Sequence, residues 1–372
     1  MPILSLGRSI VALCVAGDWH QLKINQEEQV NKVSRKALAT VAMAAASLLV
    51  LSGCASKPGA GYIECGVSDE GSWTDKSFNE SVMDGLMKAK DEFGVELKAA
   101  ESNSSEDFAP NLDSMVAAKC DVIFAVGFNL VDAVNAAAEA NPDNHFVTID
   151  GWSNGATNLK PVGYNMAESS YLAGYAAAAY STTKVVGVYG GLQIGAVTAF
   201  MDGFYYGAKK YEAETGIPVT VVGWDATTQQ GDFIGGFAPN DPAGKTIAAG
   251  QIAQGADVLL PVGGDQFGAL SEAISEAGVD AKMIGVDKNW SLLDEYKGKM
   301  LTSIEKRMTQ AVYDIVKAAA VDKTAFSGDA YTGTLANDGT ALSETEFITG
   351  DLKTKLDELK AGIIDGSINP LS

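Results

Sequence analysis

The sequence predicts an α/β protein built from two doubly wound, parallel-sheet lobes. Three observations lead there. From residue 62 onward, short apolar runs alternate with helix-length amphipathic or Ala-rich segments, the pattern of parallel strands covered on both faces by helices. The runs number about ten, too many for one small sheet of about five strands. The chain has 372 residues, 47% apolar and 20% charged, which suits about two globular domains and not a disordered polymer.

Taken in order, the strands are expected at 62–67 (YIECGV), 95–100, 121–126 (DVIFAV), 145–149 (HFVTI) and 161–165, then at 184–189 (KVVGVY), 218–224, 257–262 (DVLLPV), 282–286 and 300–304. The helices between them fall at 77–93, 105–119, 130–140, 168–181, 197–215, 242–254, 266–277 and 308–320. Residues 62–167 with 288–325 form the expected first lobe, and residues 168–287 with 326–372 the second.

The N-terminal segment reads as an address. KVSRK at 32–36 is basic, ALATVAMAAASLLVL at 37–51 is apolar, and SGCAS follows. That is the layout of a signal peptide over residues 1–53, and its apolar core is shorter than the roughly 20 residues of a membrane span. Leu51-Ser52-Gly53-Cys54 resembles the bacterial lipobox, which implies lipidation of Cys54 and a tether over 54–61 on the extracytoplasmic face. Residues 1–29 carry Asp18, Glu27 and Glu28 ahead of the basic stretch, which fits a mis-called start, with the true one near Val30, or a genuine N-terminal extension. In an oxidising compartment Cys65 and Cys120, at neighbouring strands, are either a disulfide or two buried thiols.

Composition removes several functions. The net charge of −20 lacks the basic face that nucleic acid needs. Two histidines, His20 and His145, and no CxxC pair leave little material for histidine catalysis or a metal site. No phosphate-cradling glycine motif occurs beyond the leader. A hydrolase working with carboxylates alone stays open, but no feature selects a pair.

In doubly wound sheets, ligands bind outside the carboxyl ends of the strands. The loops expected there are SDEGSWTDKSFN, GFNLVD, DGWSN, GGLQIG, WDATTQQGDFIGGF, GGDQFG, DKNWS and EKRM. Each taken alone is ordinary turn chemistry. Together they place aromatics, amides and acids at many strand ends.

The stretch SDEGSWTDKSFNES at 68–81 resembles the signature of the basic membrane protein family, purine-nucleoside-receptor-like substrate-binding lipoproteins of ABC transporters. HFVTIDGW, ESSYLAGYAAA, AFMDGFYYGAKK, GADVLLPVGG, MIGVDKN and LTSIEKR resemble later family pieces in the same order, from about residue 63 to about 320. The resemblance implies a type I periplasmic-binding-protein-like fold, with two lobes joined by crossover strands and closing on a ligand. It implies a binding protein and not an enzyme, with no cofactor or metal, a nucleoside ligand, and a permease and ATPase as partners.

The resemblance also implies residue roles. Asp69, Asn79 and Asp150 would meet the polar edge of a base, Phe78 would stack on one face, and Lys306 and the backbone at Gly264 would meet the ribose. Two departures stand out. A position often aromatic in the family is Leu260 here, and an acid that holds ribose hydroxyls is Asn289. The second stacking face would then come from Trp290, Phe237 or Trp73, or be aliphatic. Competing readings are that Phe78 opens the core of its helix, that Asp69 and Asp75 are turn or capping acids, and that Lys306 pairs with an acid across the cleft. Rival functions are a binding protein for a sugar or other small ring, a carboxylate-based nucleoside hydrolase, and a surface adhesin.

Overall fold

The computed structural model describes residues 57–372. The expected signal peptide and Cys54 lie outside the described residues. Two six-stranded sheets organise the chain. The first contains β1 (Ile63–Val67), β2 (Glu96–Ala100), β3 (Val122–Val126), β4 (Phe146–Ile149), β5 (Leu159–Tyr164) and β13 (Tyr331–Gly333). Their order is β13-β5-β4-β3-β1-β2, parallel throughout. The second contains β6 (Val185–Gly190), β7 (Thr220–Val222), β10 (Val258–Val262), β11 (Lys282–Asp287), β12 (Met300–Lys306) and β14 (Thr340–Leu342). Its order is β14-β12-β11-β10-β6-β7, with only β14 antiparallel. A small hairpin, β8 (Trp224–Asp225) with β9 (Gln230–Gly231), follows β7. The two sheets repeat one plan: β1, β2, β3, β4 and β5 correspond to β6, β7, β10, β11 and β12.

Helices cover the sheets. They are α1 (Phe78–Phe93), α2 (Phe108–Ala117), α3 (Val131–Ala140), α4 (Met166–Tyr180), α5 (Gly195–Thr215), α6 (Pro242–Ala253), α7 (Phe267–Ala277), α8 (Met308–Ala320) and α9 (Gly350–Ile364). β3 (VIFAV) and β10 (VLLPV) are buried at every position because helices lie on both faces of a parallel sheet. α1 stops at Gly94, whose φ of +73° is the left-handed turn that a side chain resists. α6 starts where Asp241 accepts a hydrogen bond from the Ala243 N–H at 2.8 Å and Pro242 occupies the first turn.

The chain passes between lobes three times: from β5 to α4, from β12 to α8, and from β13 to β14. These passages revise the expected division. Residues 300–306 pair in the second sheet, not the first, and residues 331–333 pair in the first, not the second. The reason is that β12 continues the ladder of β11, while α8 after it packs on α1 in the first lobe through the Thr309 hydroxyl, which donates to the Ser81 carbonyl at 2.7 Å. The short β13 and β14 and the helix α9 escape a pattern-based reading. Three residues carry no period, and α9 buries only Leu356, Leu359, Gly362 and Ile363. Among the described residues no helix is long and apolar enough to cross a membrane.

Cys65 on β1 and Cys120 ahead of β3 form a disulfide, their Cα atoms 6.0 Å apart. One residue before Cys65, β1 buries Glu64 completely, and neither carboxylate oxygen has a hydrogen-bond partner among the described residues. Burial pushes this carboxyl up to about 8, against the attraction of Lys90. The folded chain therefore keeps a proton that the unfolded chain releases near its ordinary value, so stability falls as pH rises from about 4.5 to about 8. A Glu64→Met protein should melt higher than wild type. Its advantage should grow across that window by on the order of 1 kcal/mol per pH unit, to a few kcal/mol. Calorimetric unfolding at several pH values checks this, and a gain independent of pH would contradict it.

Candidate ligand-binding cleft

The carboxyl ends of both sheets face one cleft between the lobes, partly open to solvent. That is the position the doubly wound topology assigns to a ligand. The loop after β1 contributes Asp69, Asp75, Phe78 and Asn79; β3 leads to Phe128 and Asn129; β4 ends at Asp150. From the second lobe come Phe200 on α5, Phe237, the Gly264–Asp265 turn, Asp287 and Lys306.

The loop after β1 folds around two acids. Asp75 works as the helix cap: its Oδ1 accepts the backbone N–H of Ser77 (2.9 Å) and Glu80 (3.0 Å), and its Oδ2 that of Asn79 (2.9 Å). The Asn79 Nδ2 donates to both Asp69 Oδ1 (2.7 Å) and Asp75 Oδ2 (3.1 Å). Two carboxylates thus use up the amide N–H groups and fix its orientation. The Asn79 Oδ1 remains buried without a partner among the described residues. Asp69 Oδ1 also accepts the Gly71 N–H at 2.9 Å. Its other oxygen lies so close to Gly127 that a Cβ there would sit 2.5 Å away, and Gly127 has φ +111°. Only glycine fits on both counts. Burial pushes the Asp69 carboxyl up to about 6, although its hydrogen bonds to Gly71 and Asn79 oppose the shift.

The second cluster joins the lobes. Asp150 follows β4 and Asp287 ends β11, equivalent positions in the two sheets. Both hold φ in the left-handed region, +59° and +67°. Non-glycine residues accept that strain mainly where the surroundings fix them, often at functional sites. Lys306, at the end of β12, forms an ion pair with Asp150; the side chains are 4% and 10% exposed. The Lys306 Nζ also lies 5.1 Å from the Phe78 ring centroid, 5.5 Å from Tyr164 and 5.9 Å from Phe200. Asp287 accepts the Ser77 hydroxyl at 2.5 Å from the opposite lobe. Burial raises its carboxyl above the usual range, while Lys306 and the Ser77 bond pull it down and Asp150 adds to the rise.

Of the residues expected from sequence, Asp69, Phe78, Asn79, Asp150, Phe237, Gly264 and Lys306 line the cleft. Four do not. Trp73 is a core residue, 8% exposed, with its Nε1 donating to the Ala100 carbonyl at 3.1 Å. Trp290 is fully buried, donates to the Val286 carbonyl at 2.8 Å and packs on Phe267. Leu260 is fully buried within β10, where both faces of the strand are covered and only its end reaches the cleft. Asn289 caps the short helix Trp290–Leu292, accepting the Ser291 N–H at 3.0 Å. Sequence reasoning missed Phe200, Asp265 and Asp287 as cleft residues. Asp287 was visible as the acid of DKNWS; Phe200, in the second turn of α5, lies within AFMDGFYYGAKK, a piece to which the resemblance attached no ligand role. Among the described residues no group of three or more His, Cys, Asp or Glu side chains is placed to hold a metal ion.

Comparison with known proteins decides the family. Residues 63–368 match the Bmp family, described as ABC transporter substrate-binding protein PnrA-like. The chain belongs to the basic membrane protein family. Members of this family are substrate-binding proteins of ABC transporters. The chain is 30% identical to the ABC transporter nucleoside-binding protein BmpA of Lactococcus lactis subsp. cremoris, over 90% of this chain and 99% of that protein. It is 30% identical to basic membrane protein A of Borreliella burgdorferi, over 80% of this chain and 85% of the relative. Its fold resembles an ABC transporter solute-binding protein from Aeropyrum pernix K1, with a TM-score of 0.74 and 24% identity, covering 83% of this chain and 92% of that one. The basic membrane protein fold is thus the two-lobed α/β architecture that the sequence predicts.

The Lys306–Asp150 pair gives this basic membrane protein a measurable signature. Removing one partner of a buried ion pair leaves an uncompensated charge, at a cost of about 3–5 kcal/mol. Lys306→Met and Asp150→Leu should each destabilise the protein on that scale. The double variant should lose clearly less than the sum. Urea unfolding of the four proteins checks the coupling.

Proposed function

We propose that this chain is a lipid-anchored, extracytoplasmic binding protein of an ABC importer, with a nucleoside, purines favoured, as its ligand. The complex would dock on a membrane permease energised by a cytoplasmic ATPase. The observation that carries the ligand reading is the combination in one cleft of aromatic rings, Phe78 and Phe237, with acceptors at Asn79, Asp69, Asp150 and Asp287. A nucleoside has a flat apolar face, a polar edge carrying N–H groups, and a sugar carrying hydroxyls. Rings suit the face, and buried carboxylate and amide oxygens suit the donors. The Lactococcus lactis relative, named as a nucleoside-binding protein, supports the same reading.

The charge balance narrows the class. Among the described residues, Asp69, Asp75, Asp150, Asp265 and Asp287 line the cleft against one cation, Lys306, already paired with Asp150. A phosphate would enter a field of like charge, so the ligand is the nucleoside and not its nucleotide. Lipid attachment rests on the Leu51-Ser52-Gly53-Cys54 motif and its leader.

Titration calorimetry on protein stripped of ligand by unfolding and refolding tests the assignment. One or more nucleosides should bind, their monophosphates at least about 100-fold more weakly, and Phe78→Ala should lose about 10-fold or more. The released ligand should be recovered chemically intact. Binding of ribose or glucose with silence toward every nucleoside would replace this reading by a sugar receptor. A second arm uses pH. If ionised Asp69 accepts from the base, affinity should fall as pH drops through about 6, because its folded carboxyl is raised to that value and protonation removes the acceptor. Asp69→Asn should flatten that profile. For the anchor, metabolic labelling with radioactive palmitate should tag the full-length protein and not Cys54→Ala; equal labelling of both would rule out this site.

A further inference from the structure

We infer that Asp265 is a ligand contact supplied by the second lobe, its Oδ1 accepting from a sugar hydroxyl. The inference rests on the nucleoside reading for the class of ligand and adds a residue that neither the family resemblance nor the relatives point to. Asp265 lies in the turn between β10 and α7 and lines the cleft. Its side chain is only 4% exposed, and its Oδ1 has no hydrogen-bond partner among the described residues. Its Oδ2 is 3.9 Å from the Lys76 Nζ of the first lobe, a long contact to a side chain 55% exposed. Burial raises its carboxyl, and the charge of Lys76 together with the neighbouring Phe267 N–H and Asn240 amide offsets only part of the effect.

A buried acceptor without a donor costs about 1–3 kcal/mol, which a bound N–H or O–H recovers. The same condition holds at Asn79 Oδ1 on the opposite lobe. Two unpartnered acceptors that line the cleft, one per lobe, suit a ligand with donors at two separate ends. A nucleoside meets this with base N–H groups at one end and hydroxyls at the other. The base end belongs at Asn79, beside Phe78. The sugar end then faces Asp265, where Gly264 has no Cβ and open space around it. Because each acceptor sits on a different lobe, a ligand joining them also draws the lobes together.

Calorimetry with a bound nucleoside and its 2′-, 3′- and 5′-deoxy analogues tests this on wild type, Asp265→Ala, Asp265→Asn and Lys76→Ala. Asp265→Ala should bind the parent nucleoside roughly 10- to 100-fold more weakly. For one deoxy analogue, and not the other two, wild type and Asp265→Ala should bind alike, since the group in question is gone. Asp265→Asn, which keeps an acceptor of nearly the same shape, should fall between them and serves if the alanine variant folds poorly. Lys76→Ala should keep its affinity. Unchanged binding by Asp265→Ala, an equal loss for all analogues, a loss that follows the base and not the sugar, or a matching loss in Lys76→Ala would each overturn the assignment. Nucleoside binding by wild type with any of those results overturns this inference alone; no nucleoside binding by wild type overturns the functional reading beneath it as well.

Discussion

The contact on which the cleft depends is the desolvated pair of Lys306 and Asp150. Lys306 ends β12 in the second lobe just where the chain leaves for α8 in the first. Asp150 ends β4 in the first lobe. Their charges meet where the lobes meet, with Phe78, Tyr164 and Phe200 around the ammonium group and almost no access for water. Neither charge is tolerable there alone. The pair therefore joins the lobes at the cleft and leaves Lys306 already matched by a carboxylate.

Around that pair the two sheets repeat one design. Asp150 and Asp287 occupy matching strand ends, share a left-handed backbone and face the same lysine. The loop after β1 adds a separate unit in which Asp69 and Asp75 hold the Asn79 amide in one orientation. The capping bonds of Asp75 show how one residue can be both a structural acid and part of a site. It satisfies orphan N–H groups at the start of α1 and, through the same helix turn, places Phe78 and Asn79 in the cleft. Contacts such as Ser77 with Asp287 and Lys288 with Glu80 (2.8 Å) then tie that helix end to the second lobe. The arrangement is rich in acceptors and poor in donors, and a ligand must supply what is missing.

Much of this was legible in the sequence. Alternation of apolar runs with helix-length segments gave two doubly wound lobes, because a parallel strand needs both faces covered and a helix is the shortest way back. The DKSFN run marked the loop after β1, the strand-end rule marked the other loops, and the family resemblance picked out Asp150, Lys306 and Gly264 within them. The errors share a cause. Trp73, Asn289 and Trp290 have the right chemistry near the right strand ends, and Leu260 holds a place in the family pattern, but neither fact says which way a side chain points. Trp290 and Trp73 turned inward because each could bury its ring and satisfy its N–H on a backbone carbonyl.

What the sequence determined by itself was therefore the class of fold, the family and the set of loops that can touch a ligand, since these follow from local pattern and strand direction. Tertiary structure alone decided which lobe owns β12 and β13, that Lys306 faces Asp150, that Asp287 and not Asn289 reaches the cleft, and that Asn79 and Asp265 each keep one oxygen without a donor. Those outcomes depend on crossovers and on contacts between residues as far apart as Ser77 and Asp287. Such contacts are settled by which polar groups can be satisfied once the lobes have packed.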